Sequence, residues 1–86
     1  MNPRVNLVQY IHPYKLLLTF NNGEVKEFDF KKYLDYPVYE KLNDSAYCSK
    51  VKACYGTAVW DEEIDFDPDT LYLESKAVEE IPARTN

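Results

Sequence analysis

Short apolar runs alternate with polar punctuation along this chain, and their spacing names the elements. Val5 to Ile11 is rich in Val, Leu, Ile and Tyr and predicts a strand closed by His12-Pro13. Tyr14 to Phe20 predicts a second strand, with Tyr14, Leu16, Leu18 and Phe20 on one face; Val25 to Phe30 returns after the turn Asn21-Asn22-Gly23. Two registers compete for this hairpin. A two-residue loop at Asn22-Gly23 sets Phe28 opposite Leu17 and splits the apolar residues between both faces. A three-residue loop with Gly23 left-handed sets Phe28 opposite Leu16 and Phe30 opposite Tyr14. The second gathers Leu16, Leu18, Phe20, Phe28 and Phe30 on one face, with Lys15, Thr19 and Glu27 on the other. A buried face fixes register, so this one is expected.

Asp29 is placed to cap a helical turn carrying Tyr33 and Leu34. Pro37 then opens a second short helix, with Val38 and Leu42, four apart, on its inner side. Asn43-Asp44-Ser45 ends it. Tyr47 to Ala53 reads as extended, and Tyr55-Gly56 turns the chain back into Thr57 to Trp60, with Val51 opposite Trp60. After an acidic corner, Asp67 is a good N-cap, Pro68 suits the first helical position, and Asp69 complements the positive end of the helix dipole, predicting a helix from Pro68 to Ser75. The stretch from Tyr55 to Tyr72, which holds the only Trp, organises the chain. Its tail, 79–86, has polar and Pro character and is expected to fray. The reading is an α+β fold: one small domain over 1–86, antiparallel hairpins with two or three short helices. Structural weight falls on Gly23, Trp60, Asp67 and Pro68.

Composition narrows the function classes. A chain of 86 residues buries only about 60–65% of its unfolded surface, and 45% hydrophobic content suffices for one core. The net charge of −5 argues against binding a phosphate backbone, which needs clustered Lys and Arg. The longest strictly apolar run is Leu16 to Leu18, so no membrane span is expected, and the N-terminus does not read as a signal peptide. A cytoplasmic protein is the expectation. Cys48 and Cys54 lie in a segment read as extended, about 20 Å apart at roughly 3.3 Å per residue, which is too far to bridge. Free thiols are expected.

The candidate chemistries lack their required residues. Asp65, Asp67 and Asp69 begin like a calcium loop, but the glycine position is Thr70 and the bidentate glutamate position is Lys76. One histidine, His12, with two distant cysteines makes no zinc set. Nothing in the spacing brings His12 to either thiol for nucleophilic catalysis, and two glycines cannot build a phosphate loop. No metal and no cofactor is expected. Paired carboxylates such as Glu62 with Asp65 could serve acid–base work, but six acids between Asp61 and Asp69 supply such pairs by chance.

The residues resemble a family of small bacterial proteins, domain-of-unknown-function family 2442. The resemblance is carried by Phe20, Gly23, Glu24, Phe28 and Asp29, then Trp60, Ile64, Asp65, Pro68, Asp69, Leu71 and Tyr72, over roughly Val5 to Leu73. Two departures stand out: many relatives have Pro and Gly in the corner after the tryptophan, where this chain has Asp61, Glu62 and Glu63, and some carry a C-terminal helix-turn-helix domain. The resemblance implies an α+β fold, no established activity, and a gene paired with a second small one in a toxin–antitoxin-like arrangement.

The expected role is therefore a protein-binding module for a basic, toxin-like partner. The expected surface is Asp61, Glu62, Glu63 and Asp65 with the tyrosines Tyr36, Tyr39 and Tyr55, since Tyr is enriched in interfaces. Not an enzyme is the first expectation. A small enzyme using the acidic corner, or a structural domain with no ligand of its own, is the alternative. Homo-oligomerisation stays open.

Overall fold

A computed structural model of the chain describes residues 2–61 and 64–78. Its first half is a meander of β1 (Val5–Ile11), β2 (Lys15–Phe20) and β3 (Val25–Asp29). The β2–β3 hairpin takes the expected register, with Leu16 opposite Phe28. Gly23 lies at φ +92°, the left-handed turn position. Its amide donates to the Phe20 carbonyl (3.0 Å) and the Phe20 amide to the Glu24 carbonyl (2.9 Å), closing the loop. Leu16, Leu18, Phe20, Phe28 and Phe30 are all buried, while Lys15 and Glu27 pair at 3.7 Å on the outer face.

Three segments depart from the sequence reading. Lys31–Asp35 and Pro37–Asn43 are both 3-10 helices. With three residues per turn instead of 3.6, positions three apart share a face and positions four apart do not. Leu42 is accordingly buried, but Val38 is 56% exposed, so the expected inner pair is broken. The stretch from Tyr47 to Ala53 is not extended throughout. Asp44 accepts from the Ala46 amide at 3.0 Å and caps a one-turn helix, α1 (Ser45–Cys48), so the strand β4 is confined to Lys52–Cys54. Asp29 does not cap the first 3-10 helix, whose N-cap is Phe30; it accepts from the Lys31 amide at 2.9 Å in the turn just before it. The thiols of Cys48 and Cys54 are both free, separated by a helix end and a turn as well as a strand.

The second sheet has the order β4-β5-β6, with β5 at Thr57–Asp61 and β6 at Ile64–Asp65. Lys52 pairs Val59 and Cys54 pairs Thr57, the register that aligns Val51 with Trp60. The two-residue turn has Tyr55 at φ +55° and Gly56 at φ +78°, as a hairpin of this length requires. A Cβ at Gly56 would also stand 3.0 Å from the Arg4 side chain, so glycine is needed there twice over. Helix α2 (Pro68–Glu74) starts as expected, with the Asp67 carboxylate accepting from the Thr70 amide at 3.0 Å and Pro68 in its first turn. A two-residue strand, β7 (Lys76–Ala77), then adds to β3, giving the first sheet the order β1-β2-β3-β7. The expected frayed tail, 79–86, lies outside the described residues.

The two sheets and the helices close on one aromatic cluster. Trp60 is buried, and its indole N–H donates to the Cys48 carbonyl at 3.0 Å, tying β5 to the end of α1. Phe66, between β6 and α2, touches more of the fold: its ring centroid lies 5.2 Å from Phe28, 5.3 Å from Tyr33, 4.7 Å from Tyr39 and 5.8 Å from Trp60. Its main chain is held by β5, since its amide donates to the Ala58 carbonyl and its carbonyl accepts from the Thr57 hydroxyl. Helix α2 is fixed to the first sheet by Lys26, whose ammonium donates to the Tyr72 carbonyl (2.8 Å) and lies 3.8 Å from the Tyr72 ring.

Large-to-small changes at the two hubs should each cost about 3–5 kcal/mol. Trp60→Ala and Phe66→Ala are expected to lower the urea midpoint by comparable amounts. A Phe66→Ala midpoint within experimental error of the parent would show that its ring does not join the layers.

Candidate functional site

The sequence places Phe30, Tyr33, Tyr36, Tyr39 and Leu42 three residues apart. In consecutive 3-10 helices that spacing makes one ridge. The main chain follows the same spacing: Tyr33, Tyr36 and Tyr39 each donate an amide to the residue three before, at 2.9, 3.0 and 2.9 Å, with an extended residue, Tyr36, joining the two helices. Tyr33 and Tyr39 lean inward on Phe66, and the Tyr39 ring stacks on it with planes 10° apart. Tyr36, at the joint between the helices, remains 56% exposed with its ring 6.1 Å from Tyr33.

Three connected depressions follow this ridge. The middle one, about 430 Å³, is lined by Leu34, Asp35, Tyr36, Pro37, Glu40 and Asn43. It shares Pro37 and Glu40 with a second that reaches Val38 and Ile64, and Asp35 with a third that reaches Glu74. Of the lysines near the ends, Lys32 pairs with Glu74 at 3.3 Å and Lys41 lies 5.8 Å from the Tyr47 ring, while Lys31 lines the third depression beside Asp35. The exposed carboxylates of Asp35 and Glu40 make no hydrogen bond or ion pair with another described residue.

The acids named by the sequence divide by task. Asp61 is half-buried; its Oδ1 accepts from the Ile64 amide at 3.1 Å and its Oδ2 from the Tyr47 hydroxyl at 2.6 Å, so it holds the corner together. Glu62 and Glu63 lie outside the described residues. Asp65 is exposed on β6, and its carbonyl accepts from the Tyr39 hydroxyl at 3.3 Å, which sets it beside the ridge. Asp67 is spent on capping, and Asp69 accepts from the Asn2 amide group at 3.2 Å. Tyr55 is 93% exposed but stands at the hairpin tip, at the opposite end of β5 from Asp61 and about 13 Å along the strand at roughly 3.3 Å per residue. Tyr36, Tyr39 and Asp65 therefore come together, and Tyr55 stands apart. Sequence reasoning missed Asp35 and Glu40, for which the three-residue tyrosine spacing was the available signal.

Two tyrosines on the ridge hold their protons tightly. Burial, then the 2.6 Å hydrogen bond to Glu74, push the Tyr33 phenol up to about 12. Burial, then the nearby Asp65, push Tyr39 up. The same Tyr33 hydroxyl, followed by Lys32, holds the Glu74 carboxyl below the usual range. Away from the ridge, His12 Nδ1 lies 3.2 Å from the Ser45 hydroxyl and 3.3 Å from the Tyr10 hydroxyl, a nucleophile–imidazole pair that no spacing disclosed. It joins the β1–β2 turn to α1. Cys48 beneath is fully buried, its thiol donates to the Leu42 carbonyl, and burial pushes it up, so it is kept from acting as a thiolate. Among the described residues no group of three or more His, Cys, Asp or Glu is placed to hold a metal ion. No described helix is long and apolar enough to cross a membrane.

A family model described as protein of unknown function, DUF2442, matches residues 5–77. The chain belongs to the DUF2442 family. The match takes in both sheets, the ridge and β7, so in this DUF2442 member the groove is part of the family domain and not an appendage to it. No curated protein and no solved structure gives a significant match.

Two outcomes are expected. Between pH 10 and about 12 the folded chain keeps the Tyr33 proton that the unfolded chain loses, so stability falls as pH rises through that window. Tyr33→Phe should flatten the fall, read from urea midpoints at about pH 9 and about pH 11.5; an unchanged slope would exclude it. At the hairpin tip, Asn tolerates the left-handed conformation better than Tyr, so Tyr55→Asn should stabilise by roughly 0.5–1 kcal/mol. A lower melting temperature would mean that the Tyr55 side chain stabilises the fold.

Proposed function

We propose that this DUF2442 protein is a cytoplasmic protein-binding module that engages a basic partner along the tyrosine ridge. The observation that carries the reading is the groove itself. Tyr36 and Val38, each 56% exposed, stand on either side of Pro37, where acidic walls without cationic partners border them. Exposed aromatic and aliphatic side chains supply buried area on binding, and the surrounding carboxylates select the partner's sign. The resemblance drawn from the sequence, with its paired small gene, favours an antitoxin-like role and makes the neighbouring gene's product the first partner to try.

The corner itself suits a catalytic reading less. Asp61 already accepts two hydrogen bonds, from Ile64 of β6 and from Tyr47 of α1, and Asp67 accepts one that starts α2. A general base drawn from either would release main-chain donors as it took a proton.

The test spares the structural acids. Asp35→Asn, Glu40→Gln and Asp65→Asn together should slow association with the neighbouring gene's product several-fold at about 50 mM salt and much less at about 300 mM, because exposed charges are screened. The melting temperature should stay within a few degrees. Equal association rates at both salts would remove the acidic ridge from the interface.

A further inference from the structure

We infer that the middle of the groove is an arginine-reading notch, whose occupant is an arginine side chain on an extended segment of a partner protein. This rests on the basic-partner reading above and adds the chemistry of recognition. The groove is lined by Leu34, Tyr36 and Pro37, which can cover the methylene stem of a long side chain, and by Asp35, Glu40 and Asn43. Neither carboxylate has a partner among the described residues. Two carboxylates lining one cleft present more acceptor positions than a compact ammonium can fill. A guanidinium, planar with five N–H donors in a fixed fork, can serve both at once. The third element is Tyr36. Its half-exposed ring lies at the helix joint, where no described cation covers its face; the rings of Tyr33, Tyr47 and Tyr72 are each already faced by a lysine. A flat, weakly hydrated guanidinium stacks on such a face better than an ammonium does.

The neighbouring depressions set the rest of the occupant. Toward Val38 and Ile64 the groove offers apolar surface between Glu40 and Lys41, which suits an aliphatic residue beside the arginine and disfavours a second cation there. Toward Glu74 it is crowded by Lys31 and by Lys32, the latter already paired, which disfavours a second cation on that side. The segment is therefore sparsely charged: one arginine flanked by aliphatic residues, not a run of basic ones.

The probe is the peptide acetyl-Gly-Leu-Pro-Arg-Leu-Gly-amide, titrated into the ¹⁵N-labelled full chain beside its lysine and citrulline counterparts. The arginine peptide should shift the amides of Leu34 to Asn43 and leave Tyr55 unmoved. The citrulline peptide, isosteric but uncharged, should bind at least tenfold more weakly, and the lysine peptide several-fold more weakly. Asp35→Asn with Glu40→Gln should bring the arginine peptide down to the citrulline level. Tyr36→Leu, which keeps an apolar side chain there, should narrow the gap between arginine and lysine. Arginine and citrulline peptides that bind alike, or shifts that map elsewhere, would overturn the notch while association with the neighbouring gene's product still measured the broader reading. Calcium chloride alone, if it moved the same amides and displaced the peptide, would make the carboxylates a cation site and overturn it as well. If neither peptide nor gene product binds at all, both readings fall.

Discussion

The ring of Phe66 is the contact on which the layers of this fold depend. The first sheet contributes Phe28 to it, the 3-10 segment Phe30, Tyr33 and Tyr39, and the second sheet Trp60. These elements are remote in sequence, and none is long enough to bury itself. Most of the ring pairs are edge-to-face, the geometry that aromatic quadrupoles favour, and one is stacked. The main chain makes the placement rigid: with Phe66 held to Ala58 and Thr57 of β5, its side chain must point inward. Asp65 and Asp67, on either side, then point outward, one onto the surface beside Tyr39 and the other into the first turn of α2.

From that anchor follows the shape of the ridge. Two short 3-10 helices pack on Phe66 through Tyr33 and Tyr39, and the three-residue period puts Tyr36 on the same line but at the joint, where it is left half in solvent. Val38, which a 3.6-residue period would have turned inward beside Leu42, is turned outward instead. An exposed aromatic and an exposed aliphatic residue with acids between them thus arise from a helix type, not from an added loop.

Hydrogen bonding separates the acids that hold the fold together from those that do not. Glu24 accepts from Tyr72, Asp29 from Lys31, Asp44 from Ala46, Asp61 from Ile64 and Tyr47, Asp67 from Thr70, and Glu74 from Tyr33. Each of these carboxylates satisfies a donor that a helix end, a turn or a tyrosine would otherwise leave to water. The net charge of −5 overstates how much acid is free to meet a partner. What remains on the ridge is Asp35, Glu40 and Asp65.

The sequence by itself determined the α+β class, the register of the β2–β3 hairpin, the Tyr55-Gly56 turn, the burial of Trp60 and the capped start of α2. All of these rest on local rules: period-two burial, a glycine where φ must be positive, an aspartate before a proline. Tertiary packing decided the rest. Ile64-Asp65-Phe66-Asp67 carries a strand's alternation, yet beside so many acids it reads as a solvated corner until β5 is there to pair with it. Asp44 both ends the second 3-10 helix, its amide donating to the Lys41 carbonyl, and caps α1 with its side chain, a second role that the sequence reading did not give it. The 3-10 geometry of residues 31–43 seats Tyr33 and Tyr39 on a ring 27 or more residues downstream; their three-residue spacing is in the sequence, but the ring that they meet lies outside any local window. Because the groove is a product of that geometry, Asp35 and Glu40 became visible as a pair only once the ridge had formed.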